Sequence, residues 1–328
     1  GGLQNLGILD VTEDLLAEGW LQNDGVLSVG DTLTIGDSLS DGIGKVVNNA
    51  DASITTGYLD LNHGTLVNNG QITVEQPFVI DSDSSLTGTG SLIVPSITLE
   101  NTATSIEQNH LTVTAQGASV NNGVVTVSEL TGTEQQLRYS EWLNNGALTV
   151  DTMQDLQLVN GNTSSDATVT INKNATLVSL NNKAGSVTGE NDSALTIGQL
   201  TLSGGTVSGD FVKLTSDSAN ASQIINGTLN ANVLDITNSR LDIKGGEINA
   251  NSILSAGASI NFTGSDWRLT EGTWFNDATL TFLVDYSTED LGENTVNVMS
   301  DVTVDTLTGA TKVTLHQDAS LTVTGDIS

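Results

Sequence analysis

A short unit that keeps returning constrains this chain more than any other feature. It consists of two Asn, or Asn and Asp, then Gly, then apolar residues alternating with Thr or Ser. It stands as WLQNDGVLSV from Trp20, LVNNGQITV from Leu66, SVNNGVVTV from Ser119 and LNNGALTV from Leu143. The alternating part is strand patterning, with Val, Leu or Ile sent inward and Thr outward. The Asn-Asn-Gly part is a tight corner: Asn tolerates left-handed backbone and can bond along a stack to the Asn above, and Gly serves where no side chain fits. A chain that repeats corner and strand at a fixed period is read as a solenoid.

The period supports that reading. Segments open near Leu21, Val46, Leu66, Leu86, Ile106, Val120, Leu143, Ala167, Val187, Val207, Ile224, Leu241, Ile260, Phe275, Thr295 and Val313, most of them about 20 residues apart, the length of one coil. The wider step from Leu21 to Val46 is read as a loop inserted on one coil. About sixteen rungs at a strand spacing of about 4.8 Å would give a rod of about 75 Å. Val11 to Trp20 and Thr131 to Trp142 break the pattern, and each is expected to hold a helical turn or a protruding loop.

Composition fits a slim core better than a thick one. Aromatic residues make up 4% of the 328, and there are 34 Gly and 2 Pro; an ordinary globular enzyme needs more bulk to fill its interior. The 39 acidic residues against 9 basic ones give a formal net charge of −30, and Lys45 is the only Lys or Arg before Arg138. Such a surface repels phosphate backbones and anionic lipid, so neither nucleic-acid binding nor membrane insertion is expected. It also keeps a β-rich surface soluble. With no Cys there is no disulfide scaffold, thiol nucleophile or Cys-held metal. No apolar run reaches the roughly 20 residues of a membrane helix. The opening GGLQNLGILDV lacks a basic n-region, so no signal peptide is read there.

A longer echo joins three of the four Trp: EGWLQNDGVLSV from Glu18, SEWLNNGALTV from Ser140 and EGTWFNDATLTF from Glu271. Each sets a Trp before an apolar residue, an Asn corner and a strand, as larger modules or aromatic shelves closing particular coils would. With these Trp-Asn-Gly corner-and-strand repeats, the absence of Cys and the acidic Gly/Asn/Thr/Ser-rich composition, essentially the whole chain resembles passenger domains of self-associating bacterial autotransporter adhesins. The resemblance implies an all-β, right-handed three-sided parallel β-helix of about 20 residues per rung, in one elongated domain. It also implies display on a Gram-negative outer membrane. The implied partners are a host cell-surface or matrix protein or glycan, or another copy of the chain on a neighbouring cell. The family's export signal and membrane barrel are not read in these residues, as expected of a passenger fragment.

One catalytic motif competes. GDSLSDG, Gly36 to Gly42, is similar to the nucleophile block of the GDSL esterases. That likeness would make Ser38 the nucleophile, Asn191 in GEND an oxyanion donor and His63 in DLNH the base. That fold needs helices on both faces of a parallel sheet, which this pattern lacks. The Asp-His block should also follow the oxyanion block, and here it precedes it. His316 has Val313, not Asp, three residues earlier. The chain is therefore expected to be non-catalytic and without a cofactor.

The remaining candidates are binding residues. On a repetitive scaffold specificity lies in what departs from the repeat. The departures are residues 31–45, residues 131–142 with Arg138, Tyr139 and Trp142, and the aromatic region near 262–286, where capping is expected. SDWRLTEGTW, Ser265 to Trp274, gathers Asp266, Trp267, Arg268, Glu271 and Trp274, and is the glycan-site candidate. DSDSS, Asp81 to Ser85, reads as a solvated turn. His63, His110 and His316 are isolated, so no His-held metal is expected. The Asn-x-Ser/Thr matches at Asn174, Asn220, Asn226 and Asn261 follow from composition.

Overall fold

The computed structural model describes residues 1–36, 44–81, 84–114, 117–135, 138–270, 275–290, 294–307 and 312–327. Among them every regular element is a strand, and the strands stack in parallel as a β-solenoid with coils roughly 20 residues apart. The chain divides into two compact units, Gly1–Asn172 and Lys173–Ser328.

In the first unit each coil has three faces. Gly2–Asn5, Trp20–Asn23, Lys45–Asn48, Thr65–Asn68 and Ser85–Thr87 stack on the first face, which continues through the opening residues of Ser105–Val113, Val124–Thr131 and Ala147–Asn160. The second face includes Ile8–Val11, Gln71–Val74 and Ser91–Val94. The third includes Leu15–Ala17, Phe78–Ile80, Ile97–Leu99, Ala118–Asn121 and Arg138–Asn144. Leu21, Val46, Leu66, Leu86, Ile106, Val125 and Leu148 are successive register partners and form one inward column, each no more than 3% exposed. Each such side chain contributes about 1.5–3 kcal/mol by leaving water. The extra residues between Leu21 and Val46 leave the register on both sides intact.

The corner after the first face carries a buried carboxamide ladder. Asn5 Nδ2 donates to Asn23 Oδ1 at 2.7 Å, Asn23 to Asn48 at 2.8 Å and Asn48 to Asn68 at 2.8 Å. The same nitrogens also donate to the backbone oxygens of Val26, Ser53 and Gln71, each one coil further on. Asn23, Asn48 and Asn68 are fully buried, so each needs these partners. The next coil brings Gly88, whose φ of 122° is left-handed territory and whose added Cβ would run into the Asn68 carbonyl oxygen. Gln108, one methylene longer than Asn, bridges the gap. It accepts from Asn68 Nδ2 at 2.8 Å across two coils and donates to Gly88 O at 3.3 Å.

Beyond Gln108 the column turns aliphatic at Val127 and Val150. A second ladder then starts at the corner after the third face, where Asn121 donates to Asn144 at 2.7 Å and Asn144 to Asn160 at 2.8 Å. The Asn-Asn-Gly unit therefore serves two different corners. The inward column of Ile106 continues at Val125 and Leu148, and Val120 and Leu143 stand on another face. The ladder Asn residues are also not left-handed, contrary to the sequence expectation. Those positions fall to Asp51, His63, Asp155, Asp192, Asn238, Asp277 and Asp318 among non-Gly residues. Gly146 is required because a Cβ there would strike the Gly123 carbonyl oxygen of the coil before.

Neither irregular segment contains a helical turn among its described residues. Leu15–Ala17 is a strand of the third face, and Glu134–Gln135 pairs antiparallel with Arg138 and Tyr139 as a small hairpin.

In the second unit Val187, Val207, Leu229 and Ile248 form a fully packed inward column. Phe262 stacks on its register partner Phe282 at 4.5 Å between ring centroids, with Trp267 at 4.7 Å and Phe275 at 6.1 Å from Phe262. Tyr286–Asp290, Val302–Thr306 and Leu321–Val323 make a separate parallel stack.

Asn48→Ala strands the Asn23 donor and the Asn68 acceptor inside the corner, and should lower unfolding stability by about 3 kcal/mol. Gln108→Asn is too short to pass Gly88 and should cost about 1–2 kcal/mol. The exposed Thr55→Ala should stay within about 0.5 kcal/mol. Urea unfolding followed by far-UV circular dichroism measures all three.

Candidate functional site

The residues that sequence reasoning singled out fall in different settings. Ser38 lies outside the described residues. His63 is exposed at a left-handed corner, its Nδ1 3.2 Å from the Asn62 carboxamide oxygen. Burial, and then the charge of Asp81, hold the nearby Asp60 carboxyl above the usual carboxylate range. Asn191 belongs to the other unit.

Arg138 and Tyr139 sit on the hairpin, Arg138 exposed and Tyr139 half-buried. The Glu134 charge, burial, a hydrogen bond from the Tyr139 hydroxyl to Glu134, and Asp155 hold that hydroxyl above the usual phenol range.

Trp142 is not a surface contact: it is fully buried, beside the small Ser119 one coil earlier. Trp20, its counterpart in the sequence echo, is 43% exposed on the first face. One residue accounts for the difference. Trp20 stands three positions before the buried Asn23, and Trp142 two before the buried Asn144. Side chains alternate along a strand, so losing one residue between Trp and corner turns the indole from solvent to core.

Trp267 is likewise core, at 4% exposure within the aromatic cluster, and does not form a sugar platform. Asp266 and Arg268 flank it, exposed, with Arg268 in register with Glu247. Glu271 and Trp274 lie outside the described residues.

A site that sequence reasoning missed lies on the second unit. Residues 189–191, 208–210, 230–232 and residues Asn249 and Asn251 line a groove of about 400 Å³. Gly209 and Ala231 form its floor, in register with each other and with Ala250 on the next coil. Two ladders form its walls. On one, Asn249 Nδ2 donates to Asn230 Oδ1 at 2.9 Å. On the other, Asn251 donates to Asn232 at 3.1 Å and Asn232 to Asp210 at 3.0 Å. Asn232 and Asn251 are exposed, while Asn230, Asn249 and Asp210 are half-buried.

The strand-corner pattern builds this groove from triplets that are polar, small, polar: Thr188-Gly189-Glu190, Ser208-Gly209-Asp210, Asn230-Ala231-Asn232 and Asn249-Ala250-Asn251. Their recurrence one coil apart was the available signal. The first unit holds a smaller depression of about 150 Å³ lined by Glu107, Thr126, Val127, Ser128, Thr149, Asp151 and Asn172 among others, where Asn172 donates to Asp151 at 3.0 Å.

A carboxamide has two N–H donors and an oxygen with two lone pairs. The Asn251–Asn232–Asp210 ladder engages one donor and one acceptor position of Asn232, so the other donor and lone pair remain for a ligand. The groove's charged lining residues are Glu190 and Asp210. Compared with known proteins, the chain matches no family model, no curated protein and no solved structure.

Trp142→Ala should cost about 3–5 kcal/mol through the cavity it leaves. Trp20→Ala should change stability by no more than about 0.5 kcal/mol. Thermal unfolding of the two variants checks the contrast; equal effects would contradict the burial difference.

Proposed function

We propose that this chain is a non-catalytic surface adhesin, the passenger part of a protein displayed on a Gram-negative outer membrane. It attaches to a host cell-surface or matrix protein or glycan, or to another copy on a neighbouring cell, and so promotes aggregation and biofilm. The observation that carries this reading is the outward surface of the solenoid. On the second face of the first unit Ser28, Thr55, Thr73, Ile93, Thr112 and Thr131 are successive register partners. Apart from Ile93, such a column offers hydroxyl groups at a near-constant spacing of about 4.8 Å, which suits an extended partner lying along the coils better than a small substrate held in a pocket. The resemblance of the corner repeats to autotransporter passengers supports the same reading.

The formal charge of −30 sets the conditions. Copies repel at low ionic strength, and repulsion between exposed charges fades once the Debye length falls to about 10 Å near 0.1 M salt.

Displaying the chain on a non-adherent bacterium should confer attachment to host cells or matrix, or settling of the culture, with self-aggregation stronger at 0.15 M than at about 0.01 M salt. No attachment or aggregation at either ionic strength would end this reading. So would hydrolysis of short p-nitrophenyl esters that disappears in Ser38→Ala.

A further inference from the structure

We infer that the groove at residues 189–251 is a binding site for an uncharged glycan chain. This deepens the adhesive reading and rests on it. Five carboxamides line the groove, Asn191, Asn230, Asn232, Asn249 and Asn251, against two carboxylates, Glu190 and Asp210. Sugar hydroxyls both donate and accept, as carboxamides do, so a hydroxyl-rich chain can use the donors and lone pairs that the ladders leave over. The ladders already hold the side chains in place, so binding orders few rotamers and more of the interaction is retained as affinity.

Charge narrows the ligand class. Glu190 and Asp210 disfavour uronates, sialylated sugars and phosphates. A basic peptide would pair with carboxylates, and in this lining carboxamides outnumber carboxylates five to two, so oligolysine serves as the cationic comparator. The groove follows successive coils, because its walls come from strands stacked in register. It therefore suits several consecutive sugar units better than a single one.

The test is calorimetric titration of the whole chain with maltohexaose, cellohexaose and mannohexaose, with polygalacturonate and oligolysine as charged comparators. At least one neutral hexasaccharide should bind, with little dependence on salt. Asn232→Ala combined with Asn251→Ala should weaken it about tenfold or more. Both side chains are exposed, so the double variant should melt with the parent. Asn232→Asp removes two donors and adds a charge, and should weaken the glycan while admitting oligolysine. The inference is overturned if no neutral glycan binds, if the double variant binds it as tightly as the parent, or if a charged comparator is the ligand the double variant loses. Displayed cells that still attach while no glycan binds would remove this site and leave the adhesive reading standing. Loss of both would remove both.

Discussion

A buried carboxamide in a solenoid corner draws most of its hydrogen bonds from the coils above and below it, with a contact to its own turn beside them, and the rest of this structure follows from that requirement. Asn23, Asn48 and Asn68 are fully buried. An unpaired buried amide costs about 1–3 kcal/mol, so a slipped coil is penalised at every rung of the ladder. Aliphatic columns such as Leu21–Val46–Leu66 supply the driving force, but apolar contact is non-directional and tolerates displacement. The ladder adds direction, because each Nδ2 reaches both the next Asn and the backbone of the next coil. Gln108 shows how strictly the requirement is met: where Gly88 removes a rung, a longer side chain spans two coils to reach Asn68.

The same chemistry explains what could be read from the sequence. Strand alternation, the coil period and the role of Asn as a stacked corner residue were all legible, because each is a local pattern of residue types. The identity of the corner was not. Asn68-Asn69-Gly70 and Asn121-Asn122-Gly123 spell the same unit, yet they close different faces, since any corner with a coil above and below can use a ladder. The orientation of the tryptophans was encoded but overlooked: one residue more or less between Trp and the buried Asn decides it. Phe262, Trp267, Phe275 and Phe282 were recognisable as a group, but their mutual packing inside the coil depends on pairing across the stack.

The groove was missed for a related reason. Its residues are common in a chain rich in Asn, Ser and Asp, and no single triplet stands out. What distinguishes them is Gly or Ala at the bend. At the matching step of the first unit stand Thr126-Val127-Ser128 and Thr149-Val150-Asp151, whose valines are bulkier, and the depression there encloses about 150 Å³ against about 400 Å³. Gly209 and Ala231 line the floor, and the ladders beside them hold carboxamides along the walls. In the proposed reading, scaffold and recognition draw on one device, a ladder buried in the corner for register and exposed beside the bend for binding.

The most direct test of the central claim is the melting of two deletions. Removing residues 45–64 takes out one complete coil, rejoins Gly44 to Thr65 and sets Asn23 beneath Asn68. Ladder and inward columns are then restored, and the shortened chain should keep its β-type circular dichroism and melt cooperatively within about 5 °C of the parent. Removing residues 45–54 preserves the in-out alternation but deletes Asn48 and misaligns the faces, and it should melt far lower or without cooperativity. Equal tolerance of both deletions, or failure of the full-coil deletion to fold, would contradict the account.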